Sequence, residues 1–396
     1  MIVLTRKEDC CGCAACANAC PKNCITMAED SEGFMYPKVD EKKCSNCGAC
    51  TNICPIVNNP SVNCLGDPKA YASQNIDEQI RQNSASGGMF SAIAKYVLEK
   101  KGIVFGASFD GQWNVVHEKI ESLDDLWKFQ GSKYVQSDIG FVYKDVKKSL
   151  DGDKWVCFSG TPCQIAGLRN FLKKDYQKLV LVDVICHGVP SPKVWRKYLA
   201  YHQEKHGAIE QIFFRNKKYG FAGSTMAIYF KSGKKRFMGQ DLQFHKESFF
   251  RNLSTRPSCY KCAFKSNRHV SDFSLFDCWH INKFCSSMDD DKGTSAVLIH
   301  SSKGEKIFKE IANSIKYKEV DFTLLKSLDG SMILNSTPCN MKRYMFFRDI
   351  DILSIPEMVN RYTPSTLKKK LTQIAKPVLY KFGVLNKIKR LMKGLV

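Results

Sequence analysis

Cys10-x-x-Cys13-x-x-Cys16-x-x-x-Cys20-Pro21 stands near the start of the chain, and 34 residues on it returns as Cys44-x-x-Cys47-x-x-Cys50-x-x-x-Cys54-Pro55. Each run has the spacing of a bacterial ferredoxin [4Fe-4S] site. Three closely spaced thiolates wrap one side of a cube, and the fourth comes from farther off. In two-cluster ferredoxins that fourth ligand crosses over from the other run. The spacing therefore predicts one cluster on Cys10, Cys13, Cys16 and Cys54, and a second on Cys44, Cys47, Cys50 and Cys20. Each closing proline turns the chain away. Zinc knuckles pair two Cys-x-x-Cys steps and do not need a third cysteine at that interval. A disulfide framework belongs to secreted chains. Cys11 and Cys24 fall outside the pattern and read as bystander thiols.

Working outward, 396 residues of ordinary apolar content imply two or three domains with cores of their own. No stretch is long and apolar enough to span a bilayer, and Met1 to Asp9 lacks the apolar run of a signal peptide. Nineteen cysteines without such a leader point to a reducing cytoplasm. The net charge of +21 is unevenly placed: no acidic residue follows Glu357, while ten Lys and Arg lie between Arg361 and Lys393. Nucleic acid is the first partner such charge brings to mind. No helix-turn-helix, RNA-recognition or zinc-finger pattern accompanies it, so no nucleic-acid role is expected.

Residues 1–60 read as the ferredoxin module, with Gly33 to Pro37 as a hairpin over the clusters, and 58–69 as a linker. An α/β body follows. Met89, Phe90, Ile93, Ala94, Val97 and Leu98 share a helical face; Ser84 or Ser86 caps its start and Gly102 ends it. Residues 122–129 and 138–149 read as helices, and 103–109 and 113–120 as strands. Trp155–Ser159 reads as a strand leading into the helix Gln164–Leu172. Leu179–Ile185 is a nearly continuous apolar run, as in a strand buried on both faces. Helices follow from Pro192 to His206, over 241–252 and from Gly304 to about Ile315. Strands are expected at 209–215, 224–231, 272–277 and 295–300.

Ser84-Ala85-Ser86-Gly87-Gly88 is a candidate phosphate cradle, since glycine admits close approach and a helix start attracts anions. A capped helix after a tight turn explains it equally well, and it is not the Gly-x-Gly-x-x-Gly fingerprint. Gly160-Thr161-Pro162-Cys163 and Cys186-His187-Gly188 lie where strands end, the edge at which α/β sheets bind ligands. Cys163, Cys186, Cys259 and Cys262 offer four thiolates from three loops. A third [4Fe-4S] cluster, a zinc ion and unliganded core cysteines all suit that set. His187 is the candidate proton donor there, with a structural role as its alternative.

Taken in order, Ser84 to Gly88, Gly131-Ser132-Lys133-Tyr134, Gly160 to Gln164, Cys186 to Ser191, and Cys259-x-x-Cys262 followed by Asp277-x-Trp279 give the chain a resemblance. Over residues 5 to about 315 it resembles the coenzyme F420 hydrogenase/dehydrogenase beta-subunit family carrying an N-terminal two-cluster ferredoxin. The resemblance implies an FAD-dependent oxidoreductase that exchanges electrons between flavin and an iron–sulfur cluster. By position, Ser84, Ser86, Gly87 and Gly88 would meet the FAD phosphates. Gly131, Ser132, Lys133, Tyr134, Gly160 and Thr161 would line the flavin pocket, and Cys163, Cys186, Cys259 and Cys262 would hold the inner cluster. Where relatives carry a Gly-Asp-Phe-Trp-Gly-like turn, this chain has Phe276-Asp277-Cys278-Trp279-His280, a bulkier wall.

The expected fold is thus a two-[4Fe-4S] ferredoxin module (1–60) and a mixed α/β, or α+β, flavin-binding body, ending in a basic helical tail. The body divides into family-like segments at 68–155 and 156–345, and the tail covers 357–396. The expected function is to relay electrons from a low-potential donor such as ferredoxin, through the clusters and FAD, to an organic or deazaflavin acceptor. Surface polysaccharide metabolism is a setting the resemblance implies; a non-catalytic electron-transfer subunit is the alternative. Phe382, Leu385, Ile388, Met392 and Leu395 fall on one helical face amid lysines, as in a helix lying on an anionic membrane; a solvated helix is the other reading.

Overall fold

A computed structural model describes residues 1–60 and 66–384. The chain divides into two compact units, residues 1–193 with 255–339, and residues 194–254 with 340–396. Among the described residues the strands are β1 (Ile25–Glu29), β2 (Met35–Val39), β3 (Lys69–Asn75), β4 (Ile103–Phe109), β5 (Val115–Ile120), β6 (Val156–Gly160), β7 (Leu179–Val184), β8 (Ile209–Asn216), β9 (Thr225–Phe230), β10 (Lys235–Arg236), β11 (Phe273–Asp277), β12 (Ser295–Ile299) and β13 (Ile315–Val320).

The first unit is built on an eight-stranded sheet of order β13-β3-β12-β11-β7-β6-β4-β5. Strands β3, β11, β7, β6 and β4 run one way; β12, β13 and β5 run against their neighbours. The sheet takes strands from both expected body segments. Its central strands bury alternate residues on opposite faces, as the apolar run at 179–185 predicts. Val104, Cys157, Val180 and Val182 face one core, and Ile103, Phe105, Phe158 and Leu181 face the other. Two short helices, α1 (Ala15–Ala19) and α2 (Ala49–Asn52), follow the cysteine loops. The β1–β2 hairpin lies between them in sequence, its turn fixed by Gly33 at φ +90° and the fully buried Phe34.

Several boundaries differ from expectation. A helix not anticipated, α3 (Glu78–Asn83), precedes the serine–glycine turn, and Ser84 is its C-cap. The next helix, α4 (Met89–Glu99), starts at Gly88 with no side-chain cap, so neither Ser84 nor Ser86 serves there. The 138–149 helix is shorter at its start: Asp138 pairs with the β5 backbone and Gly140 adopts φ +50°, so α5 runs from Val142 to Asp151. Residues 123–129 form a 3-10 rather than an α-helix. The helix after Gly304 stops at Glu310, because Ile315–Val320 is needed as β13 to cover β3. After β6, α6 (Pro162–Leu172) packs with α5 on the ferredoxin side of the sheet.

The second unit carries the antiparallel sheet β10-β9-β8 with α7 (Pro192–His206) and α8 (Gln240–Phe250). Trp195, stacked on Tyr198 at 5.4 Å and beside Phe214 at 5.0 Å, fills its core. A further helix covers Leu367–Lys381 within the expected tail. Leu385, Ile388, Met392 and Leu395 lie outside the described residues.

Candidate redox site

The two cysteine runs repeat in conformation as well as in sequence. Gly12 and Ala14 sit at φ +73° and +58°, and their counterparts Asn46 and Gly48 at +52° and +73°. Two left-handed residues per loop curl the backbone around a common centre and turn amides toward sulfur. Gly12 N donates to Cys10 Sγ and Asn46 N to Cys44 Sγ, each at 3.4 Å, and Ile2 N donates to Cys50 Sγ at 3.2 Å. Such N–H bonds to sulfur are one control a protein has over cluster potential.

The thiols of the two runs fall into two neighbourhoods. Burial raises the Cys10 thiol and pushes the Cys16 thiol up to about 12, and nearby Cys54 adds to both rises. On the other side, Cys20, Cys44, Cys47 and Cys50 line a common cavity. Cys24 lines it too, its Sγ 3.3 Å from that of Cys20. Cys50 also raises Cys16, so the two thiol sets are neighbours.

The inner cysteines converge as well. Cys163 stands in the first turn of α6, where Gln164 reaches back to the Thr161 amide at 2.9 Å in a capping box. The Thr161 hydroxyl is 3.1 Å from Cys163 Sγ. Cys186 follows β7, and Gly188, at φ +140°, lets that loop press on Cys259: a Cβ there would lie 3.3 Å from the Cys259 Cβ. Burial holds the Cys186 thiol well above its ordinary value, with Cys259, Cys163 and Cys262 adding to the rise. Burial likewise pushes Cys259 up to about 12, with Cys163 the next cause. Thiolates crowded in this way repel one another until a cationic centre is inserted among them. Among the described residues no three His, Cys, Asp or Glu converge as a single ion requires. All three thiol sets fit [4Fe-4S] clusters in donor chemistry.

Cys11 lies between the first loop and the inner set. Its buried thiol neighbours those of Cys13 and Cys163. Close approach here depends on Gly167 of α6, where an added Cβ would stand 3.0 Å from Cys13 Sγ. Cys11 falls outside the ligand spacing, and Gly167 lies outside every motif of the sequence. No local sequence signal marks Gly167, because its partner Cys13 is distant in the chain.

The residues assigned to flavin collect at the carboxyl edge of the sheet's parallel strands. Ser84–Gly88 follows β3, Gly160-Thr161 ends β6 and opens α6, and Gly131 lies 3.9 Å, by its added Cβ, from the Asn83 carbonyl. Much of the turn's chemistry serves the protein itself. Ser84 Oγ donates to Ile80 O at 2.7 Å and Ser86 Oγ to Thr294 O at 2.7 Å. Gly87 is glycine because a Cβ would lie 2.3 Å from Ser73 O. The start of α4 has no side-chain cap and no acidic residue in its first turn, which suits an anion. Lys133 faces the same edge: burial pulls its ammonium down to about 7, and its Nζ is 5.7 Å from the Phe109 ring centroid. Ser132 and Tyr134 flank it, half-buried. His187 is half-buried beside Cys186. In the divergent turn Cys278 is fully buried, Trp279 is exposed, and His280 Nδ1 pairs with Asp329 at 2.6 Å.

Three family models match the chain. A 4Fe-4S dicluster domain matches residues 9–58. The N-terminal part of the coenzyme F420 hydrogenase/dehydrogenase beta subunit matches residues 70–142, and its C-terminal part residues 153–323. Among solved structures, a chain of the xenon-derivatized F420-reducing [NiFe] hydrogenase complex from Methanosarcina barkeri is similar at 18% identity. The match covers 69% of this chain and 91% of that one, with a TM-score of 0.47.

Proposed function

This chain belongs to the coenzyme F420 hydrogenase/dehydrogenase beta-subunit family, joined to a 4Fe-4S dicluster domain, and from that premise we propose that it is an iron–sulfur flavoprotein oxidoreductase. It takes electrons from a low-potential donor of ferredoxin type and passes them to an organic or deazaflavin acceptor. The observation that carries this reading is the packing of Cys11 and Cys13 of the first loop in one core with Cys163 and Cys262 of the inner set.

In this reading Cys10, Cys13, Cys16 and Cys54 hold one cluster, and Cys44, Cys47, Cys50 and Cys20 hold another. Cys163, Cys186, Cys259 and Cys262 hold the third. Bound there, clusters carry single electrons and FAD gathers two for delivery as hydride plus proton; that chemistry is the cofactors' own. The chain sets distance, potential and access. Cys47, exposed at the second loop, marks the side where a donor protein docks. Thr161 steadies Cys163 through its hydroxyl and so favours the charged sulfur. The uncapped start of α4 holds the FAD phosphates with its first-turn amides, while Gly131–Tyr134 and Gly160-Thr161 line the ring. Lys133 and His187 are the chain's proton-handling groups at that edge. The basic helix Leu367–Lys381, which leaves a row of apolar side chains exposed, rests on an anionic membrane surface. There the chain would meet membrane-bound substrates such as those of surface polysaccharide assembly.

Anaerobic purification with iron, sulfide and flavin quantified per chain tests the reading. About twelve iron atoms and one FAD are expected. Eight iron atoms without flavin would reduce the chain to its ferredoxin module.

A further inference from the structure

We propose that Arg256 is a buried counter-charge shared by two clusters, the one on the first ferredoxin loop and the one on the inner quartet, and that it holds both at higher reduction potential than their sulfur ligands alone would give. The proposal rests on the cluster assignments made above.

Arg256 is fully buried, at 0% exposure. Its guanidinium donates from Nε to Cys10 O at 2.9 Å, from Nη1 to Gln136 Oε1 at 2.9 Å, and from Nη2 to Met35 O at 3.1 Å. All three acceptors are neutral. The cation also lies 4.2 Å from the Tyr36 ring centroid and 5.4 Å from that of Phe34. Among the described residues no carboxylate forms an ion pair with it. Burying a cation without a counter-ion costs several kcal/mol even after relaxation. Neutral carbonyls and aromatic faces offset only part of that, so a negative charge belongs nearby.

The neighbouring backbone shows where that charge sits. The guanidinium packs on the first cysteine loop: a Cβ on Gly12 would lie 2.9 Å from Arg256 Nη1 and 3.0 Å from its Cζ. The main chain of Arg256 belongs to the inner site. Its N donates to Val189 O at 2.9 Å, and its carbonyl accepts from Cys259 N at 3.0 Å. One residue thus spans the loop of Cys10 and Cys13 and the loops of Cys186 and Cys259. A cube with four thiolates is an anion when oxidised and a stronger one when reduced. A fixed positive charge beside it stabilises the reduced form more and raises its potential. Placed between two such anions, it also screens their repulsion, so that an electron on one does not bar the next.

A purely structural arginine, tying hairpin to body, is the competing explanation. Midpoint potentials, read by EPR-monitored titration of the cluster-loaded full chain, separate the two. Arg256→Gln should shift both clusters to more negative potential by at least tenfold in the one-electron equilibrium, which is 59 mV. Arg256→Lys, keeping the charge, should restore most of that shift. Gln136→Glu supplies a carboxylate to the guanidinium in place and should lower the potentials in the same direction. That variant reports even where Arg256→Gln does not fold. Unshifted potentials in Gln136→Glu or in a folded Arg256→Gln, with all three clusters present, overturn the proposal. Wild-type protein with fewer than three clusters overturns instead the assignments beneath it.

Discussion

Gly167 sits in the middle of α6, where glycine costs up to about 1 kcal/mol relative to alanine. It is there because the first cysteine loop leans on the helix: an added Cβ would lie 3.0 Å from Cys13 Sγ, 3.1 Å from Cys13 Cβ and 3.2 Å from Tyr143 Oη. Gly167→Ala should therefore lose stability despite its better helix propensity, by about 1–3 kcal/mol as an overpacked contact does. It should also lower iron retention during purification. A thermal midpoint equal to or above wild type, with full iron, would show that the loop does not need this approach. Nothing in the sequence around Gln164-Ile165-Ala166-Gly167-Leu168 marks the position, because the contact joins residues more than 150 apart in the chain. Arg256 was invisible for the same reason. The eight ferredoxin cysteines were legible because their chemistry imposes its own local spacing, and local spacing is what a sequence displays; Cys163, Cys186, Cys259 and Cys262 come from three loops and share no such spacing.

At the scale of elements, β5 and β6 trap an ionisable group between them. His117 of β5 is buried, stacks on Phe158 at 5.4 Å and has Nε2 3.0 Å from Ser159 O. Burial pushes its pKa down to about 4. It is neutral in the fold but takes up a proton in the unfolded chain below pH 6.5. Its contribution to stability is complete above that pH and declines as pH falls toward about 4. His117→Gln keeps a donor for Ser159 O and cannot titrate. Between pH 6.5 and 4 its stability should fall less steeply than wild type's by about 1.4 kcal/mol per pH unit. Urea unfolding at a series of pH values would settle it, and parallel profiles would refute the buried, neutral assignment. Interior elements such as β6, β7 and α6 were legible, since apolar runs and a capping Thr-Pro pair are local facts. Boundaries set by pairing were not. Asp138 is extended because β5 lies beside it, and β13 exists because β3 needs an edge.

For the whole molecule, the distribution of charge decides what the C-terminal end does. Leu367, Leu371, Ile374, Val378 and Phe382 are between 51% and 78% exposed. Their spacing of three and four residues places them along one side of the helix Leu367–Lys381 and the turn after it. The helix is held to its own unit elsewhere, through Lys376 Nζ to Gly223 O at 2.6 Å and Tyr380 against Tyr219 at 5.3 Å. Among the described residues no helix is long and apolar enough to cross a membrane. In the reading proposed above, the apolar stripe, in a stretch with ten cations and no acid after Glu357, would meet a surface that is both greasy and anionic. Each Lys or Arg near such a surface contributes about 1 kcal/mol at low salt. The full chain should therefore sediment with vesicles rich in phosphatidylserine or phosphatidylglycerol, and not with neutral phosphatidylcholine vesicles. Raising the salt to ~0.5 M, where screening is short-ranged, should weaken that binding. Replacing Leu371 and Ile374 together by glutamate should reduce it at least about tenfold, since both the burial and the charge terms reverse. The iron content of that variant should be unchanged, because neither residue lies in the unit that holds the cysteines. Failure to sediment with anionic vesicles, or sedimentation that survives the double substitution, would show that the stripe is not a membrane contact.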